Sequence, residues 1–143
     1  MIKEIRKHIV DSIKSVDTKY VTVDQPYGKD EDVIGTKLPY FYNITFGATT
    51  NEIVEAGGTV SNVSVNLKTY VQGTRDKLSD FDEGYCQAIM IDSLIVDRSL
   101  YIGSQYIKNI ESTGVTPIEV LDSQDVYAFE STFNIKLSYG LGD

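Results

Sequence analysis

A single cysteine, Cys86, stands among the 143 residues. One thiol cannot close an intramolecular disulfide or furnish a multi-cysteine zinc site, so the chain suits a reducing compartment or is indifferent to redox state. Beside Tyr85 and Ile89, that cysteine is expected to be a small core or boundary residue. Histidine is as scarce. His8 alone offers an imidazole, and on a helical wheel it falls about 100° from the nearby apolar stripe, which predicts a surface or boundary position. No serine occupies a G-x-S-x-G elbow, so a Ser-His-Asp arrangement would depend on His8 and nucleophilic hydrolysis is not indicated. Long apolar runs are missing too. The best stretch, 88–96, is interrupted by Asp92 and Ser93 and falls far below the roughly 20 residues of a membrane span. The opening residues Lys3, Glu4, Arg6 and Lys7 break up the apolar stretch of about 7 to 15 residues that an export signal needs. Positive charge is short: 13 Lys and Arg face 21 Asp and Glu, for a net charge of −8. Such a balance disfavours attraction to the phosphates of a nucleic acid and argues against a sequence-reading DNA binder.

What is present is enough for a core. Hydrophobic residues make up 41%, with ten Tyr and five Phe, which is too apolar for a disordered chain. The length predicts one domain, 1–143. Ile2, Ile5, Ile9, Ile13 and Val16 recur at spacings of three and four, the stripe of an amphipathic helix. Tyr20 to Val23 reads as a strand stopped before Pro26, and a polar loop from Tyr27 to Lys37 carries Asp30, Glu31 and Asp32. After Pro39, the residues Tyr40, Tyr42, Ile44 and Phe46 share one strand face, with Phe41 alone out of pattern. A second loop is expected from Gly47 to Gly58, carrying Glu52 and Glu55. A long strand through Val63, Val65, Leu67, Thr69 and Val71 follows, with Val60 out of phase and a bulge expected near Ser61 and Asn62.

Between Gly73 and Asp97 the period becomes helical. Ser79 and Asp82 suggest a capping box, and Phe81, Tyr85, Ala88, Ile89, Ile95 and Val96 share one broad face. The latter half is apolar nearly all round, which predicts a well-buried helix or a strand, the helix being preferred. Tyr106 to Ile110 and Pro117 to Leu121 read as two short strands separated by Ser112-Thr113-Gly114. The final strand alternates Tyr127, Phe129, Ser131, Phe133, Ile135, Leu137 and Tyr139 with polar partners, about thirteen residues where five or six are usual. The fold class expected is α+β: an antiparallel or mixed sheet, two helices packed on one face, and a long C-terminal strand.

Motifs for chemistry fail on inspection. Asp30-Glu31-Asp32 begins a calcium-loop spacing that Ile34 and Phe41 break, and Asp80 to Gly84 fails in the same way at Ile91, so both read as solvated acidic loops or helix caps. Gly57-Gly58-Thr59 lacks the lysine of a P-loop. No catalytic, cofactor or metal residue is proposed.

The whole layout resembles the tail-terminator, or tail-completion, family of long-tailed bacteriophages. The resemblance is carried by the amphipathic opening helix Ile2 to Val16, the segment Pro39-Tyr40-Phe41-Tyr42, the middle helix around Phe81 to Val96, and the closing strand Val126 to Tyr139. It implies a non-enzymatic virion protein of the tail or neck, assembled in the host cytoplasm without a cofactor. Its copies would form a homohexameric ring that caps the tail tube, stops its growth and meets the head-completion protein. On that resemblance Asp30, Glu31, Asp32, Glu52 and Glu55 are expected on ring faces or lumen, where they would repel DNA in transit. Thr132, Asn134 and Lys136, on a strand that could extend beyond its own sheet, are expected at the subunit contact. Alternatives are another neck, head-tail joining or tail-tube component, or a small cytosolic ligand-binding or enzymatic domain lined by tyrosines.

Overall fold

Alternation along the strands and the isoleucine stripe of the first helix generate a six-stranded mixed sheet with two helices on one face. The computed structural model describes residues 2–23, 40–53, 59–72, 77–97, 101–102, 105–118 and 126–139. The elements are α1 (Ile2–Val16), β1 (Val21–Thr22), β2 (Tyr40–Ile53), β3 (Thr59–Gln72), α2 (Lys77–Asp97), β4 (Tyr101–Ile102), β5 (Gln105–Ile118) and β6 (Val126–Tyr139). The spatial order is β1-β2-β3-β6-β5-β4, with β1 parallel to β2 and every other pair antiparallel. The α+β class, the two helices on one face and the long closing strand are as the sequence predicts.

Four strands have 14 residues each, about 45 Å at 3.4 Å per residue. β6 is therefore no longer than its neighbours. It lies inside the sheet, paired with β3 from Val126 to Tyr139 and with β5 from Ala128 to Ser138. The expectation that it reaches past the sheet to offer a free edge is corrected, because both of its edges are occupied.

Bulges appear where the sequence suggests loops. β2 continues through Gly47 to Ile53, and its register on β3 shifts between Phe46 and Thr49, so the expected bulge lies at Gly47 and Ala48 and not at Ser61 and Asn62. β3 stays in register with β6 throughout, and Val60 is simply buried on the opposite face from Val63. Likewise Ser112-Thr113-Gly114 does not divide two strands. Ser112 pairs with Phe133 and Val115 with Ser131, so two residues of β5 oppose Thr132 alone. Gly114 adopts φ +86°, a conformation that favours glycine, and its N–H donates to Ser112 Oγ at 2.9 Å. Thr113 Oγ1 lies 3.4 Å from both the N and the O of Thr132, in place of the missing ladder bonds.

The core fills the space between sheet and helices. Ile5, Ile9 and Ile13 of α1 and Ile91 and Ile95 of α2 meet Val63, Val65, Leu67, Phe133, Ile135 and Leu137, all buried. At the other end of α2, Gly84 faces Val71 and Phe129, and Phe81 and Tyr85 pack around the Phe129 ring. α2 begins at Lys77, two residues before the expected cap, and three expectations for its neighbourhood are corrected. Ile89 is 51% exposed and Cys86 is exposed, because the face turned to the sheet is Gly84-Ala88-Ile91-Ile95, one narrow stripe. His8 is buried, since its Nε2 lies 2.9 Å from the carbonyl oxygen of Ile95 and ties α1 to α2.

Tyr20 locks the exit of α1. Its hydroxyl donates to Gln87 Oε1 at 2.7 Å, Gln87 Nε2 donates to Asp17 Oδ2 at 3.3 Å, and Lys14 Nζ donates to the Tyr20 carbonyl at 2.7 Å. Burial, reinforced by Asp17, Tyr40 and Glu83, holds the Tyr20 phenol protonated well above the usual tyrosine range. A raised folded pKa means that its contribution is whole below about pH 10 and is lost as the pH climbs toward the folded value. Wild-type stability should therefore fall above pH 10, and Tyr20→Phe should flatten that fall while lowering stability at neutral pH by about 1–2 kcal/mol. Denaturant melts from pH 8 to 11 read both effects, and identical alkaline slopes for the two proteins would refute the assignment.

Candidate functional site: the sheet face opposite the helices

Successive side chains of a strand point to opposite faces, so the residues between the buried positions of β3 and β6 share the face turned away from the helices. They are polar: Asn62, Ser64, Asn66 and Lys68 on β3, and Glu130, Thr132, Asn134 and Lys136 on β6, all half-buried. β3 and β6 form the centre of the sheet, which places these amides and hydroxyls in its middle.

Cross-strand bonds order them. Asn66 Nδ2 donates to Thr132 Oγ1 at 3.2 Å, and Asn134 Nδ2 donates to Asn62 Oδ1 at 3.5 Å. Lys68 Nζ stands 3.8 Å from Glu130 Oε2, a long and partly solvated pair of small energetic value. On β5, Asn109 Nδ2 donates to Glu111 Oε1 at 2.9 Å. Lys68 and Lys136 on this face are equalled in number by Glu111 and Glu130. At one end of the same face Phe41 stacks on Tyr70, with centroids 4.7 Å apart, in a buried cluster with Val126 and Ala128. This is why Phe41 breaks the alternation of its strand: it serves the second face.

Of the residues singled out in the sequence, Thr132, Asn134 and Lys136 come together here, facing away from the helices. Glu52 lies in β2 opposite Val60, not in a loop, because the strand runs on past its bulge. Asp30, Glu31, Asp32 and Glu55 lie outside the described residues. Sequence reasoning missed Asn62, Asn66, Lys68 and Glu130 as members of one surface. Their alternation was legible, but the adjacency of β3 and β6 was not. Among the described residues, no three His, Cys, Asp or Glu side chains gather as a metal site, and no helix is long and apolar enough to cross a membrane. The face offers amides and hydroxyls for hydrated, reversible polar contacts.

No protein-family model matches the chain, and no curated protein matches it significantly.

Proposed function

We propose that the protein is a structural subunit of a phage tail, a terminator whose copies close as a homohexameric ring on the head-proximal end of the tail tube. The ring stops tube growth and presents a surface to the neck. The observation that carries this reading is the sheet face turned away from both described helices, whose half-buried amides and hydroxyls span the middle of strands about 45 Å long. Such a face suits a contact between subunits that is hydrogen-bonded and hydrated. In this reading Thr132, Asn134 and Lys136 contribute to the contact between copies. Asp30, Glu31, Asp32, Glu52 and Glu55 belong to ring faces or the lumen, where carboxylates repel the phosphates of DNA in transit. The protein has no reaction of its own and takes no cofactor, and its place is the tail or neck of the virion.

Mass measurement and electron microscopy of the purified chain, with and without tail tubes, test the reading. Rings seated on tube ends are expected, and Thr132→Lys with Asn134→Lys should reduce capping at least tenfold, through steric conflict and the cost of burying two unpaired ammonium groups in the contact. Unchanged capping by that double variant overturns the assignment of the face. Long cylinders would instead identify a tube subunit, and attachment to heads alone a joining protein. A monomer indifferent to tubes would favour the small ligand-binding or enzymatic domain.

A further inference from the structure

The two helices present outward ridges of opposite charge. α1 contains four cations and two anions, whereas α2 contains one cation and five anions. Since Ile5, Ile9 and Ile13 face the sheet, the helical repeat turns Lys3, Lys7 and Lys14 away from it together with Glu4 and Asp11; all five are exposed, and the cations outnumber the anions by one. On α2 the same argument turns Asp82, Ile89, Met90 and Asp97 outward. Ile89 and Met90 are each 51% exposed and Leu78 is 71% exposed, so apolar surface is interleaved with the acids.

Two bonds set the helices in register. His8 meets the Ile95 carbonyl and Gln87 meets Asp17, so α1 and α2 run antiparallel side by side. Counting along both helices from these bonds at 1.5 Å per residue puts Lys7 level with Asp97, and Lys14 level with Ile89 and Met90.

We propose that a second copy of this chain docks on the helix layer across a two-fold axis parallel to the helices, so that α1 of each copy lies along α2 of the other. This orientation sets each Lys7 against the other copy's Asp97. It also lays the Lys14 stem over Ile89 and Met90, while the Lys14 ammonium stays committed to the Tyr20 carbonyl. A two-fold axis across the helices would instead lay α2 along α2, one cation and five anions against the same set, which the charges reject. The contact is isologous: each copy both offers and receives a basic ridge. Lys7 already stands 3.3 Å from Asp11, but that pair is open to solvent, so the ammonium can be shared with a second carboxylate. The inference concerns the helix layer and not the sheet face, so it stands whether or not the copies also close into a ring.

The test is the mass of the full chain across a concentration series at low salt. Wild type should dimerise, and added salt should weaken the dimer. Lys7→Glu and Asp97→Lys should each weaken it about three- to tenfold, and the combined swap should restore it. Both positions are exposed, so folding is not at stake, and a thermal melt of each variant confirms this. A chain monomeric at every concentration, or a dimer indifferent to both single swaps, overturns the proposal. Absence of rings and of tube capping, with the swaps behaving as expected, would sink the ring reading and leave this one standing.

Discussion

Phe133→Ala should cost about 3–5 kcal/mol. Phe133 has no exposed surface, sits mid-strand on the central β6, and packs under the isoleucines of both helices. Removing its ring empties the layer where sheet and helices meet, and the flanking β3 and β5 cannot collapse inward without losing their pairing to β6. For a chain of this size the melting temperature should drop by roughly 10 °C or more. Thr132→Ala is the internal control. One residue earlier, on the opposite face and half-buried, it should cost no more than about 1 kcal/mol. Calorimetry of the two variants decides the matter, and equal losses would mean that the two faces are not distinguished as described.

Gly84→Leu comes second. On an exposed helix, replacing glycine stabilises by up to about 1 kcal/mol, because glycine loses the most backbone freedom on folding. At residue 84 the sign reverses. A Cβ there would lie 2.9 Å from both Phe129 Cε2 and Val71 Cγ2, closer than side chains approach, in a cluster where Phe81 and Tyr85 already crowd the Phe129 ring. The longer side chain has to push α2 off the sheet, for a loss of about 3 kcal/mol or more, and Gly84→Ala should be intermediate. Denaturant midpoints ordered Gly, Ala, Leu from highest to lowest confirm the close approach, and a gain for the alanine variant refutes it.

These two positions also separate what was legible in the sequence from what was not. Phe133 belongs to the alternation from Tyr127 to Tyr139, a period that a half-buried strand imposes on its own residues whatever lies beside it. The isoleucines of α1 announce themselves in the same way. Gly84 gives no such signal, because the stripe that α2 turns to the sheet includes two of its smallest residues, Gly84 and Ala88, whereas Ile89 and Met90 are left outside. Hydrophobicity marks which residues shun water, but a close approach selects for lack of bulk. His8 was misread for a related reason: its partner is the carbonyl of Ile95, 87 positions away.

The bulges failed for a different cause. Ser112-Thr113-Gly114 has the chemistry of a turn, with a hydroxyl accepting from a backbone N–H and a glycine at positive φ, and a bulge uses the same local bonds. Only the pairing to Thr132 distinguishes the two, and that is a long-range fact. The polar face shows the same division. Each strand reveals its own alternating polar residues, but that Asn66 bonds Thr132 follows from the sheet order, which no local pattern encodes.

That sheet order has a consequence for how the chain comes into being. β3 and β5 are both made before β6, yet neither pairs with the other, and each waits for the same later segment to fill the gap between them. Until that segment is made, the β3 and β5 edges that it covers, 14 residues each, have no partner in the native pairing and are open to the wrong strand from a neighbouring chain. The keystone of this arch is laid last, so the hazard of misassembly is concentrated in the interval before β6 slides home.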